Sequence, residues 1–494
     1  MIYDLVIIGG GPSGLALAHC CKNIPNTKIL IIERENQIGG CHRVNRVDYK
    51  NEKLFTEHGP RIYSSIYINF IFLLNEMGVS FDDLFVLSKF QTANMLKKLV
   101  IFDLSNIYNV IISYIHLLLD DNYGRHTNMA TFVKKHNFTE KQIETLNRIC
   151  LLSDGGDINK YSLNEFLQLI NQQAMFKIYQ PRYENDIKLF PLWKKFLEKD
   201  INNGSTIEFM LNSEITKINI NDNNLISSCV INNKNIEGKK FIFAIPPRNL
   251  LKIFEKSNNK LLLNSFGNYN IFKKWVHNSS YIEYISVVFH WDKKYELHKS
   301  GGFPTSYWGV VFIALDEYID FKETQSKTVI STAITIVDKK SKNNNKTANE
   351  CTKEEIIKEM FIQLKEIFPF LPEPTAAIMT PNNYYDNNDN NWKSKDNAYI
   401  ASYNADYINF KSNLIDNLYS LGTHNGKSFY KFTSMESAVT NAIFLARILY
   451  PDLKKKYKIL TFTTLRDVLY YILIIIIILL IIFNMLYVYN NIKK

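Results

Sequence analysis

Ile2-Tyr3-Asp4-Leu5-Val6-Ile7-Ile8-Gly9-Gly10-Gly11-Pro12-Ser13-Gly14 is the stretch that decides the fold. Residues 2–8 are apolar and β-branched, as in a buried strand; residues 13–21 have helical character, and residues 28–32 are apolar again. Strand, glycine-rich turn, helix and strand in that order make one βαβ half of a doubly wound α/β fold. Gly9, Gly11 and Gly14 fit G-x-G-x-x-G directly after a strand and at the opening of a helix, the context that motif needs. Gly9 allows the tight turn, Gly11 lets the backbone approach a pyrophosphate, and Gly14 lets the helix pack on the sheet. Pro12 suits a first helical turn, and with Ser13 it places the helix N-terminus, with its free N–H groups and positive potential, against the phosphates. Glu33 ends the second strand 19 positions beyond Gly14, where a carboxylate accepts hydrogen bonds from ribose hydroxyls and disfavours a 2′-phosphate.

Outward from this unit the pattern changes several times. Residues from about 65 to 200 carry helical periodicity, for example 163–174, and predict a helical lobe. Strands return at 208–219, 225–231 and 240–245, closed by Pro246 and Pro247. Further strands at 285–291, 308–313 and 328–337 predict a mixed sheet. The Asn- and Lys-rich stretches 339–346 and 382–391 read as solvated loops. A strand at 418–421 and a helix at 434–449 end this part of the chain. Nucleotide-binding segments thus recur at the start, middle and end, so the domains are expected to be discontinuous.

The pieces together resemble the FAD-dependent amine oxidase superfamily, which includes amine oxidases, protoporphyrinogen oxidase and UDP-galactopyranose mutases. The resemblance rests on the fingerprint, on Glu33-Arg34 followed by Gly39-Gly40 and Arg43, and on Phe55-Thr56-Glu57-His58-Gly59-Pro60-Arg61. Downstream it rests on Leu418-Tyr419-Ser420-Leu421-Gly422 and on Thr433-Ser434-Met435-Glu436-Ser437-Ala438-Val439. It implies a noncovalent FAD touched by Arg34, Gly40, Arg43, Gly59, Pro60, Arg61, Ile215, Gly422, Ser434 and Met435, besides the fingerprint residues. It implies a Rossmann-like FAD-binding domain from 1–75, 201–260 and 392–455, and a mixed-sheet plus helical substrate domain from 76–200 and 261–391. Thr433 and Glu436 have capping-box spacing, which predicts free N–H groups around Met435 that would stabilise negative charge on a reduced flavin. Ser434 stands where monoamine oxidases have a cage tyrosine, and no cysteine follows Cys351, so a thioether-linked flavin is not expected.

Composition sets the bounds. A chain of 494 residues, 46% hydrophobic and 21% charged, is globular rather than disordered. The net charge of +10 comes from scattered lysines and points to no nucleic-acid partner. Six cysteines without C-x-x-C spacing predict neither a disulfide framework nor a metal site. Residues 468–489 are almost wholly apolar, with Asn484 the strongly polar interruption, tyrosines near both ends and Lys454, Lys455, Lys456 and Lys458 upstream. That predicts a C-terminal transmembrane helix, a membrane partner and a tail-anchored protein whose catalytic bulk faces the cytosol. With what reads as a core β-strand directly after Met1, no signal peptide is expected before the fold.

The expected function is an FAD-dependent oxidase that removes hydride from a C–N or C–C bond of a small organic substrate with dioxygen as acceptor. A redox-neutral mutase or isomerase of a nucleotide sugar or lipid is the second expectation, and a non-catalytic FAD-binding protein the third. No catalytic residue is assigned: Cys41 and His42 read as packing beside the cofactor, Lys293 and Lys294 as a solvated strand end, and His290, Trp308 and Tyr399 as core.

Overall fold

The computed structural model describes residues 2–88, 102–154, 156–297, 300–302, 306–400, 408–430, 433–461 and 465–492. A seven-stranded sheet runs in the order Thr206–Met210, Lys28–Ile32, Ile2–Ile8, Lys234–Phe243, Ile226–Ile231, Ile215–Ile220, with Leu418–Ser420 also pairing to Lys234–Phe243. Strand Ile2–Ile8 lies parallel to both neighbours, and Leu418–Ser420 is parallel to residues 241–243. Alternation explains how one apolar strand serves two layers. Leu5, Ile7, Ile29 and Ile31 pack on the fingerprint helix Pro12–Cys21, while Val6, Ile8, Leu30 and Ile32 join Leu250, Leu251 and Phe254 on the other face. Sequence segments from the start, middle and end of the chain therefore share one sheet.

The expected strand 208–219 is two strands on opposite edges of that sheet, Thr206–Met210 and Ile215–Ile220. Asn212, with φ +50°, turns the chain between them.

A second, antiparallel sheet has the order Ser300–Gly302, Val311–Ala314, Thr328–Ile334, Ile285–Trp291, Ala376–Met379. One face carries the helix Lys353–Lys365 through Ile356, Met360, Phe361 and Leu364. The other meets Val44 and Phe55 of the hairpin Val44–Tyr49/Glu52–Glu57. Covered on both sides, Ile285–Trp291 and Thr328–Ile334 are buried at every position. The helical lobe packs Leu104–Leu119, Met129–Lys135, Glu140–Asp154 and Leu163–Met175 around Leu117, Phe132, Leu146 and Leu167. Ser162 caps the last of these by accepting from Glu165 N.

Two expectations are corrected. The Asn-rich stretch 382–391 is not a plain solvated loop: it contributes to the hairpin Asn383–Asp386/Asn391–Ser394, and Asn383 bonds Ser286 N at 3.0 Å and the Tyr284 carbonyl at 2.7 Å. The apolar tail does form a helix, Leu465–Ile492, but among the described residues no helix is long and apolar enough to cross a membrane. The structure therefore does not support the expected transmembrane helix at 468–489, nor a membrane partner reached through it. Lys456 of the upstream basic cluster pairs with Glu76 at 3.0 Å.

Candidate FAD site

The loops at the ends of the parallel strands, together with the second sheet and the helical lobe, enclose one cavity of about 1270 Å³. Its wall includes Gly9, Gly11, Pro12, Ser13, Glu33, Arg34, Gly40, Arg43, Gly59, Pro60, Arg61, Ile215, Gly422, Ser434 and Met435. Of the expected cofactor residues, only Gly14 does not line it. A Cβ there would lie 2.1 Å from the Gly9 carbonyl oxygen, so Gly14 serves the packing of helix on strand.

The fingerprint turn is fastened from below. Glu33 Oε2 accepts from Gly10 N at 2.9 Å and Oε1 from Glu35 N at 3.1 Å, and burial raises its carboxyl above the usual range. The helix behind the turn starts at Pro12 with no side-chain cap and no acidic residue in its first turn. Its N-terminal field is therefore left for a ligand. The returning segment Gly40–His42 passes so close that a Cβ on Gly11 would sit 3.6 Å from Gly40 Cα.

Arg43 is buried and pairs with Asp396 at 2.5 Å; Asp396 also accepts from Asn382. This pair locks the segment after the double glycine to the end of the hairpin Asn383–Asp386/Asn391–Ser394. Arg34 fastens the same place, donating to the Lys395 carbonyl at 2.8 Å. Residues 393–399, including Asp396 and Tyr399, also line the cavity; they fall in the expected FAD-binding segment 392–455, but none except Tyr399, read as core, was singled out from the sequence. The readable signal was Trp392, an aromatic directly after the run 382–391 taken to be solvated, which the fold half-buries.

Segment 58–61 also lines the cavity. A Cβ on Gly59 would touch Tyr284 and approach Ser286 and Ala333, so this segment lies flat against the second sheet. Arg61 donates to the Cys41 carbonyl and lies 3.4 Å from Glu57. Burial pushes His58 down to about 3 and His42 well below the ordinary imidazole value, so both are neutral at pH 7. His58 Nε2 is buried without a hydrogen-bond partner among the described residues.

The expected capping box of Thr433 and Glu436 is replaced by another. Ser434 Oγ accepts from Ser437 N at 3.1 Å, while Ser434 N donates to Ser437 Oγ at 3.0 Å. Thr433 instead donates to the Tyr399 carbonyl, and Glu436 turns away to a different helix. The consequence for the site is unchanged: among the described residues, no partner takes the N–H groups of Met435 and Glu436 at the start of Met435–Leu449. Met435 lines the cavity.

Other candidates fall elsewhere. Lys294 pairs with Asp316 on the surface, and neither it nor Lys293 lines the cavity. His290 is held between Ser326 Oγ and the Phe55 carbonyl, and Trp308 donates to the Lys339 carbonyl; both are core residues. Tyr399 does line the cavity. Tyr430 is buried, while Lys431 and Phe432 lie outside the described residues.

Comparison with known proteins agrees with this geometry. Residues 7–76 match the NAD(P)-binding Rossmann-like domain family. The chain superposes on putrescine oxidase with a TM-score of 0.60 at 12% identity, covering 91% of this chain and 99% of that one. It superposes on cyclohexylamine oxidase from Brevibacterium oxydans with a TM-score of 0.55 at 13% identity, covering 91% and 100%. The chain has the amine oxidase fold. A third likeness is local: 73 residues are 40% identical to UDP-galactopyranose mutase of Mycoplasma genitalium, 14% of this chain and 17% of the mutase. The chain thus matches under a fifth of that relative's length, and at such low identity the amine oxidase fold is shared as architecture. The residues present fit FAD on the structure's own terms: the uncapped start of Pro12–Cys21, the Met435 N–H group without a partner among the described residues, and Glu33 all border one cavity.

Proposed function

We propose that this protein is an FAD-dependent oxidoreductase, with the dinucleotide held between Gly9, Gly11, Pro12, Ser13, Glu33 and Ile215 and the isoalloxazine end between Gly59–Arg61 and Met435. The observation that carries it is the meeting, in one cavity, of Gly11, Glu33 and Met435 from distant parts of the sequence. Bound FAD would supply hydride acceptance from a C–N or C–C bond, with dioxygen restoring the oxidised form. The chain's own residues bind and orient. The start of Pro12–Cys21 offers backbone N–H groups to phosphate, and the start of Met435–Leu449 offers Met435 N–H and a positive helix end to developing negative charge. His42 and His58, kept neutral by burial, add no charge of their own to the wall.

A second reading, a redox-neutral mutase of a nucleotide sugar or lipid, is favoured by the local identity to UDP-galactopyranose mutase. Anaerobic bleaching of the bound flavin by a panel of amines and other organic reductants, followed by reoxidation in air with peroxide formation, tests the oxidase reading. Flavin that turns over a nucleotide sugar without net reduction would favour the mutase instead.

A further inference from the structure

His42, read from the sequence as packing beside the cofactor, stands at the end of a chain of polar groups whose hydrogen-bond directions are fixed by their chemistry. Asn185 Nδ2 lies 3.2 Å from the His42 carbonyl and 3.2 Å from Tyr63 Oη. A carbonyl only accepts, so the amide nitrogen faces both groups and the phenol oxygen takes a proton from Asn185. Tyr63 Oη also lies 3.3 Å from His42 Nδ1. Tyr63 and Asn185 are buried, and among the described residues the phenol meets no third partner.

These contacts select one form of the His42 ring. With a proton on Nδ1, the phenol oxygen would face two donors, and its own proton would be sealed in the interior without an acceptor. Every group is satisfied when Tyr63 donates to a bare Nδ1. Burial, with Arg61 and His58 nearby, holds His42 well below the ordinary imidazole value, so at pH 7 the ring carries a single proton. That proton sits on Nε2.

Nε2 itself is left open. Among the described residues it has no hydrogen-bond partner, yet unlike His58 Nε2 it is not sealed in the interior, and His42 lines the cavity. The ring also stands close to the fingerprint: His42 N donates to the Gly39 carbonyl at 3.0 Å, and Gly39 N donates to the Gly10 carbonyl at 2.8 Å.

We propose that His42 is a cofactor-binding residue that donates its Nε2–H to an acceptor oxygen or nitrogen of the FAD, with Tyr63 and Asn185 as the positioning residues that hold the ring in that form. The proposal rests on the flavoenzyme reading and deepens it. To the backbone donors of the two helix starts it adds a neutral side-chain donor whose proton is in place before the ligand arrives.

The test is long-range proton–nitrogen NMR of the full chain carrying isotope-labelled histidine, before and after loading with FAD, on samples whose flavin content is measured first. The His42 signals are identified by their loss in His42→Gln. The expected pattern is a neutral ring protonated at Nε2, with the Nε2 resonance shifting when FAD binds. His42→Leu should weaken FAD binding by roughly tenfold, about 1.4 kcal/mol, in equilibrium dialysis; His42→Gln, whose amide nitrogen can stand in for Nε2, should stay within roughly threefold. Tyr63→Phe should bring up the Nδ1-protonated ring. A wild-type ring protonated at Nδ1, an Nε2 signal unmoved by FAD, an H42L protein that binds FAD as tightly as the wild type, or a Y63F protein with an unchanged ring would each overturn the proposal. The NMR pattern is read on the unmodified chain, so misfolding of H42L leaves it standing. Protein that takes up no FAD sinks the flavoenzyme reading itself, whereas FAD-loaded protein with an unmoved Nε2 sinks only the role of His42.

Discussion

Glu436 and Asn69, 367 positions apart, are joined by two hydrogen bonds at the junction of two helices, and Phe70 adds a third to the same carboxylate. Glu436 Oε1 accepts from Asn69 Nδ2 at 2.7 Å and from Asn69 N at 3.1 Å, and Oε2 accepts from Phe70 N at 3.0 Å. A carboxylate from the helix that faces the cavity thereby caps the helix Ile68–Glu76. Asn69 continues the link, pairing through its side chain with both backbone groups of Leu460.

Burial pushes the Glu436 carboxyl up to about 7, since its hydrogen bonds offset only part of the desolvation. A carboxyl whose folded pKa lies above its unfolded value holds a proton in the native state that the unfolded chain releases. Its contribution favours folding at low pH and is lost as pH rises from about 4.5 to about 7. E436Q, a neutral isostere, is expected to flatten that slope in urea midpoints measured from pH 5 to 8. E436A, which removes the cap, should cost roughly 1–2 kcal/mol across the whole range.

Gly11 and Gly14 are predicted to respond differently to the same added methyl. At Gly11 the nearest described atom lies at an ordinary 3.6 Å, so G11A folds normally but crowds the cavity beneath the pyrophosphate. Its FAD affinity should drop by roughly tenfold or more, about 1.4 kcal/mol, with little change in melting temperature. At Gly14 the methyl meets the Gly9 carbonyl at 2.1 Å, and G14A should lose roughly 1–3 kcal/mol of stability or more even as apoprotein. Equilibrium dialysis with FAD and thermal melts separate the two effects.

The Arg43–Asp396 pair, with side chains 2% and 5% exposed, predicts a penalty for breaking it from one side. D396N leaves a buried guanidinium without its counter-charge and should cost roughly 3–5 kcal/mol. Replacing both residues with apolar ones of similar size, R43M with D396L, should cost less than either single change. A urea-unfolding double-mutant cycle of R43M, D396L and the double variant reads the difference; a double-variant loss equal to the sum of the two single losses would show that the charges are not coupled.

Much of the fold was legible because it follows from short-range rules. The alternation of Leu5, Val6, Ile7 and Ile8 between two apolar layers needs only a strand period and a buried sheet, and Gly14 announces a helix pressed on a strand. Less could be read where the partner lies far away in sequence. Glu436 looked like the third residue of a capping box because its spacing from Thr433 is right, but the donors that claim it belong to residues 69 and 70. Asp396 and the hairpin before it were hidden by asparagines, which in this fold turn the chain and bond Tyr284 and Ser286 rather than meet solvent. The terminal helix formed, yet an apolar composition over 468–489 did not translate into a membrane-crossing element among the described residues.

The central claim is that Gly11, Glu33 and Met435 border one cradle built for FAD. The most direct measurement is the absorbance of the purified protein, before and after incubation with FAD and gel filtration, with the cofactor released by denaturation and quantified. The account predicts a flavin spectrum perturbed from free FAD and close to one FAD per chain. Protein that carries no flavin and takes up none would contradict it.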